Sequence, residues 1–329
     1  MSALRRFLFY PTPLLRGCIL HFMKTEEFSY IADDGKSVHV YRWAPESKPK
    51  ACILIAHGMA EHAGRYKHFA AAMTAAGYEL WAPDHRGHGK TAAEGELGWL
   101  AERDGFKRVV ADLGGLAARI RSERPGLKLF FIGHSWGSLL GQGFISLYGR
   151  SIDGCVLSAT TGIPPKNAGI GKLIVGIGGS AKGWRSPAPL ADTMSFGAFN
   201  KPFEPARTKF EWLSRDPSQV DAYIADPLCG FICSWAYFRD MLDGLGWIAS
   251  AATQAAIPKD LPVHLLTGSE DPVGGANGGL MALHKRYASL GIKDLSFKLY
   301  EGARHEMLNE TNKEEVYKDL RSWLDAHRA

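Results

Sequence analysis

Three residues of the 329-residue chain have the types and order needed to activate a hydroxyl. Ser135 lies in Gly133-His134-Ser135-Trp136-Gly137, a G-x-S-x-G pattern. The apolar run Leu129–Ile132 precedes it and the apolar stretch Gly137–Tyr148 follows it. That strand–turn–helix setting makes the pattern informative, because a serine on so sharp a turn needs small neighbours on both sides. A serine hydroxyl is a weak nucleophile until a base removes its proton. In this order of elements the acid follows a later strand and the base follows the last one. After the run Leu261–Thr267 comes Gly268-Ser269-Glu270-Asp271-Pro272, so Asp271 is the expected acid, with Glu270 as the alternative. After Leu295–Tyr300 comes Gly302-Ala303-Arg304-His305-Glu306, which places His305 as the base. His284, inside a helical pattern, and His327, near the tail, are worse placed. The backbone N–H of Trp136 and that of Met59, in the loop His57–His62, are the expected donors to an oxyanion.

These residues need a frame. Apolar runs at Phe28–Ile31, Val38–Trp43, Cys52–Ala56, Glu79–Ala82, Leu129–Gly133, Ile152–Ser158, Leu261–Thr267 and Leu295–Tyr300 read as strands. Asp34-Gly35 marks a hairpin between the first two. Helical periodicity fills the intervals at Tyr66–Ala76, Phe106–Ile120, Gly137–Tyr148, Gly278–Leu290 and Glu314–His327. Strands alternating with helices imply an α/β fold, a mostly parallel sheet of about eight strands with helices on both faces. Residues 160–240 interrupt the alternation and are too long for an ordinary connection. The apolar, Gly-rich stretch Gly169–Gly179, with Trp184, Phe196 and Phe199, reads as an inserted helical cap. Helical turns are expected in it at Phe210–Leu213 and Val220–Ile224. The expected organisation is a core over 23–159 and 241–329, with the cap between.

Residues 1–22 carry Arg5, Arg6 and Arg16 and no acid. Pro11, Pro13 and Arg16 break the apolar run, so a secretory signal is not expected. The segment reads either as a basic, apolar patch touching a membrane surface or as residues upstream of a natural start at Met23. No stretch offers the ~20 apolar residues of a spanning helix. A net charge of +5 with no basic stripe argues against a nucleic-acid partner. The five cysteines read as reduced thiols, and a cytoplasmic location follows, with peripheral membrane contact through the cap or the N-terminal segment. The pairs His57/His62, His85/His88 and Cys229/Cys233 have no companion ligands nearby in sequence. Neither a metal nor a cofactor is expected.

Taken together, HGMAEHAGRY (57–66), DHRGHG (84–89), GHSWGS (133–138), DPLCGF (226–231), GSEDPV (268–273) and GARHEMLNE (302–310) resemble α/β-hydrolases of the monoacylglycerol lipase and lysophospholipase type, in the serine aminopeptidase-like superfamily. The resemblance runs over about residues 24–328. It implies an α/β-hydrolase fold, with Ser135, Asp271 and His305 as triad and Met59 and Trp136 as oxyanion donors. It also implies that Glu61 and Arg65 lie near the polar, alcohol end of a pocket. The implied activity is hydrolysis of a carboxylic ester of a monoacyl lipid. A peptidase or acyltransferase on the same fold is the alternative, and a non-catalytic binding protein a remoter one. Trp136 and Ser138 depart from the usual residues after the serine, and Trp136 is expected to narrow the site.

Overall fold

The computed structural model describes residues 23–162, 168–273 and 278–328. The N-terminal segment 1–22 lies outside the described residues. Eight strands form one sheet: β1 (Lys24–Ile31), β2 (Ser37–Ala44), β3 (Ala51–Ala56), β4 (Tyr78–Pro83), β5 (Lys128–His134), β6 (Gly154–Ser158), β7 (Val263–Gly268) and β8 (Leu295–Tyr300). Their spatial order is β1-β2-β4-β3-β5-β6-β7-β8. The pairs β1–β2 and β2–β4 are antiparallel and the rest parallel. Position in the sheet explains the sequence patterns. Every residue of β3, β4, β6 and β7 is buried, which suits unbroken apolar runs covered on both faces. The edge strand β1 is mostly exposed. Gly35 makes the hairpin turn at a φ of +83°, where a side chain would be strained.

Helices α1 (Lys67–Ala75) and α10 (Lys313–Ala326) cover one face of the sheet. Helices α2 (Gly105–Glu123), α3 (Trp136–Tyr148) and α9 (Gly278–Ser289) cover the other. Between β6 and β7 the chain forms α4 (Ala168–Lys182), α5 (Pro189–Phe196), a 3-10 turn at Lys201–Phe203, α6 (Pro217–Ala225), α7 (Trp235–Ile248) and α8 (Ala251–Ala255).

Two expectations change here. Phe210–Leu213 is a run of turns rather than helix. Thr208 Oγ1 accepts the Phe210 N–H and Asn200 Oδ1 accepts that of Trp212, so side chains take the bonds a helix would have used. Residue 240, the expected end of the cap, falls inside α7. That helix packs against α4 on one side and α2 and α3 on the other, so it joins cap to core.

Candidate active site

The ends of β3, β5, β7 and β8 deliver the polar residues to one edge of the sheet. Ser135 sits on the turn from β5 into α3 at φ 53° and ψ −119°, a conformation L-residues avoid. The turn is held because Ser135 N–H donates to Ser158 O at 2.9 Å. It closes only with glycine on either side. A Cβ on Gly133 would come within 2.4 Å of Gly137 O, and one on Gly137 within 2.1 Å of Ala56 O.

Ser135 Oγ lies 2.8 Å from His305 Nε2. His305 Nδ1 lies 2.9 and 3.0 Å from the two Asp271 carboxylate oxygens. A carboxylate can only accept, so Nδ1 carries the proton and Nε2 is left bare to accept from the serine. Asp271 is fixed in turn by Thr267 Oγ1 at 2.7 Å and Val273 N–H at 2.9 Å. Burial works against a charged His305. The Asp271 carboxylate outweighs it, with Glu306 and Glu61 adding to the effect, and the imidazole is held above its usual range. Glu270 is exposed and outside this chain of contacts.

Trp136 is the first residue of α3, so its N–H has no i−4 carbonyl to bond and stands at the positive end of the helix dipole, next to Ser135. Met59 stands in a tight loop. A Cβ on the preceding Gly58 would come within 2.7 Å of Glu61 Oε1, and the following Ala60 has a φ of 52°. Ala60 O accepts bonds from Gly230 N–H at 2.9 Å and Tyr223 Oη–H at 3.0 Å, which tie the loop to the cap. The Trp136 indole is buried beneath the site. It stacks on His88 at 5.5 Å and contacts Tyr237 at 5.2 Å, and Trp136 is among the residues lining the cavity above.

Two cavities meet at Ser135, and both are also lined by Met59, Phe196 and Trp212. One, of about 490 Å³, runs under the cap between Leu139, Ile174, Met194, Phe199, Met241 and Leu245. The other, of about 550 Å³, is edged by Glu61, Asp192, Thr193, Asn200, Glu204 and Lys209. Glu61 borders this second cavity, whose polar edge stands among Phe210, Leu213, Phe231 and Ile232. Arg65 instead lies behind it in a crevice of about 10 Å³ with Tyr66, His134 and Glu306.

The apolar residues of the cap divide between the cavity and the outside. Ile174, Val175, Phe196 and Phe199 line the apolar cavity. Ile170, Leu173 and Ile177 point outward and are 60–63% exposed. The helical period puts residues 170, 173 and 177 on one side of α4, turns 175 away from them, and leaves 174, half-buried, at the edge between. Trp184 packs against Gly179 instead of the cavity.

The two loop pairs of histidines singled out in the sequence make structural contacts. His57 Nδ1 lies 2.7 Å from Gly58 O, and its Nε2 accepts the His85 N–H at 2.9 Å. Burial keeps His57 and His85 neutral and pushes His88 down to about 4. His62 does acquire companions, from a segment far away in sequence. Asp226 and Cys229 bring ligand-type atoms within 4.8 Å of it and of each other. Hydrogen bonds already engage His62, whose Nε2 donates to Asp226 at 2.9 Å while Nδ1 accepts the Gly64 N–H at 3.2 Å. Cys52, Cys155, Cys229 and Cys233 are all free thiols.

Sequence reasoning missed Glu306, although it adjoins His305. It also missed α7, which supplies Phe238, Met241, Leu242 and Leu245 to the cavity. The amphipathic spacing over 237–248 was the available signal.

Comparison with known proteins gives the chain a family. Residues 47–312 match the family described as "Serine aminopeptidase, S33". A monoacylglycerol lipase of Mycolicibacterium smegmatis is 30% identical over 306 residues, which cover 92% of this chain and 97% of the relative. The monoglyceride lipase of Homo sapiens is 28% identical, over 90% of this chain and 89% of its own. Among solved structures, a thermostable carboxyl esterase from Bacillus coagulans in complex with glycerol superposes with a TM-score of 0.85. It is 26% identical, and the match covers 94% of this chain and 100% of that one. No helix among the described residues is long and apolar enough to cross a membrane. The chain belongs to the serine aminopeptidase S33 family of α/β-hydrolases, in the group that contains the monoacylglycerol lipases.

Proposed function

We propose that the protein hydrolyses carboxylic esters of monoacyl lipids, monoacylglycerols and lysophospholipids among them, through an acyl-enzyme on Ser135. His305 takes the Ser135 proton at Nε2 as the oxygen attacks the ester carbonyl. Asp271 holds the ring and stabilises its charged form. The N–H groups of Met59 and Trp136 receive the oxyanion. His305 then passes the proton to the departing alcohol, and a water molecule, activated the same way, releases the fatty acid.

One observation carries the choice of substrate. The serine stands where an apolar lobe and a polar-edged lobe join. An acyl chain fits the first and a small polar alcohol the second. Each methylene buried in the apolar lobe contributes up to about 0.8 kcal/mol. kcat/KM therefore rises with acyl length and levels off at medium chains. Triacylglycerols are poor substrates, because a capped lobe admits one chain more easily than three. The outward stripe of α4 (Ile170, Leu173 and Ile177), together with the exposed Leu190 of α5, supports docking of the cap on a lipid surface.

An acyl-length series of monoacylglycerols and nitrophenyl esters tests this reading. A preference for acetate esters, or faster removal of an N-terminal proline from peptides, contradicts it.

A further inference from the structure

The resemblance places Glu61 and Arg65 at the alcohol end of the pocket, yet both are already engaged within the protein. Glu61 Oε1 accepts Gly58 N–H at 2.5 Å and Tyr66 Oη–H at 2.9 Å. Its Oε2 accepts Arg65 Nη1 at 2.5 Å. On its other side Arg65 grips Glu306 in a fork, Nη1 to Oε1 at 2.6 Å and Nη2 to Oε2 at 2.8 Å. Asn309 Nδ2 donates to Glu306 Oε2 at 3.0 Å, and the Glu306 N–H donates to Leu213 O at 2.7 Å. Tyr223 lies face-on to the guanidinium at 4.9 Å while its hydroxyl binds Ala60 O. The three charged side chains are 4–10% exposed.

The connectivity matters more than the individual bonds. Gly58 and Ala60 flank Met59, the expected oxyanion donor. Glu306 adjoins His305, the expected base. Arg65 is the bridge between the two loops. A buried fork of this kind is directional and short, so it fixes separation and orientation together. Arg65 lines the crevice of about 10 Å³ and not the lobe beside Ser135, whereas the Asp192, Thr193 and Lys209 side chains edge that lobe directly.

We propose that Arg65 and Glu306 are positioning residues: the buried arch Glu61–Arg65–Glu306 sets the oxyanion loop against the His305 loop, and so governs turnover of every ester rather than recognition of the alcohol. This rests on the acyl-enzyme reading above.

The test uses one medium acyl group on three alcohols: glycerol, methanol and 4-nitrophenol. Glu306→Gln and Arg65→Met are assayed on the full chain, with melting curves recorded alongside. Misplacing a catalytic group by about 1 Å costs on the order of 10²-fold in rate. The expected result is a fall in kcat of that order at most, by the same factor for all three esters, with KM unchanged. A loss confined to the glycerol ester, with KM raised and the nitrophenyl ester unaffected, overturns the proposal in favour of alcohol recognition. Unchanged kcat on all three overturns it outright. If Arg65→Met fails to fold, the combined Glu61→Gln, Arg65→Met and Glu306→Gln variant removes the buried charges together. Wild-type kcat in that variant also overturns the proposal. If the wild-type protein cleaves none of the esters, the hydrolase reading fails instead. The arch is then judged by the rate at which a phosphonate labels Ser135, which it predicts to fall in the same variants.

Discussion

At the sheet end of the cavity, Ser135, His305 and Asp271 stand on separate strand-end loops and hold one another at 2.8–3.0 Å. Across the same cavity, α4 and α5 present Ile174, Val175, Met194 and Phe196. The floor is built from backbone turns that admit one residue type and from polar atoms that each have a direction. The cap wall is built from apolar contacts that have volume and no direction. A methyl group in the wrong place disrupts the floor, as the 2.1 Å approach to Gly137 indicates. In the cap it changes a contour. On the proposed reading, the floor sets whether an ester is cleaved and the cap sets which ester arrives.

The largest separation between the two regions comes from the acid. Asp271→Asn leaves the ring without the acceptor that selects its tautomer and is expected to lower kcat about 10⁴-fold. Glu270→Gln, on an exposed side chain, is expected to change kcat little. Steady-state rates on a single nitrophenyl ester measure both. The reverse ranking breaks the assignment of the floor.

Acid should weaken the floor before the cap. Burial holds His88 and His134 down to about 4, against about 6.5 in an unfolded chain. Between those values the unfolded state binds more protons, so stability drops as pH falls from about 6.5 toward 4. Each such histidine costs up to about 1.4 kcal/mol per pH unit. His305 runs the other way. Its value is raised, so its stabilisation is complete below about 6.5 and fades as pH rises through its folded value. The same raised value moves the acid limb of kcat/KM above the ordinary histidine range, since the base must be neutral. Calorimetry and a pH–rate profile check the two signs.

The smallest effects belong to the cap. Leu173→Asp, on the outward face of α4, is expected to leave kcat/KM for a dissolved short ester unchanged and to reduce activity on lipid vesicles several-fold. Ile174→Phe, on the cavity lining, is expected to shift the preferred acyl length downward, since added bulk shortens the apolar lobe. An equal loss in both assays for Leu173→Asp would mean that α4 is needed for folding rather than for docking.

The same contrast explains what the sequence disclosed. Ser135, Asp271 and His305 were legible because each sits one loop past a strand, and strand order alone predicts their meeting. Gly133 and Gly137 were legible because a sharp turn demands them. The two faces of α4 were not. Ile, Leu and Val occur on both sides, so periodicity cannot say which side meets the cavity and which meets the outside. The family resemblance put Arg65 near the alcohol end; its fork with Glu306 was not legible, because the two lie 241 residues apart and no local spacing announces it. His62 and Asp226 were unpaired in the sequence for the same reason. The turn at Phe210–Leu213 looked helical until Asn200 and Thr208 were seen to take its backbone bonds.

The most direct test of the account is the mass of the enzyme during turnover. The protein is mixed with a medium-chain nitrophenyl ester, quenched in acid within the first turnovers, digested and analysed by mass spectrometry. The account predicts one acyl group on the peptide carrying Ser135, none in Ser135→Ala, and a fall in kcat on the order of 10⁶-fold in that variant. Product release at the wild-type rate by Ser135→Ala, or an acyl group on any other residue, would contradict it.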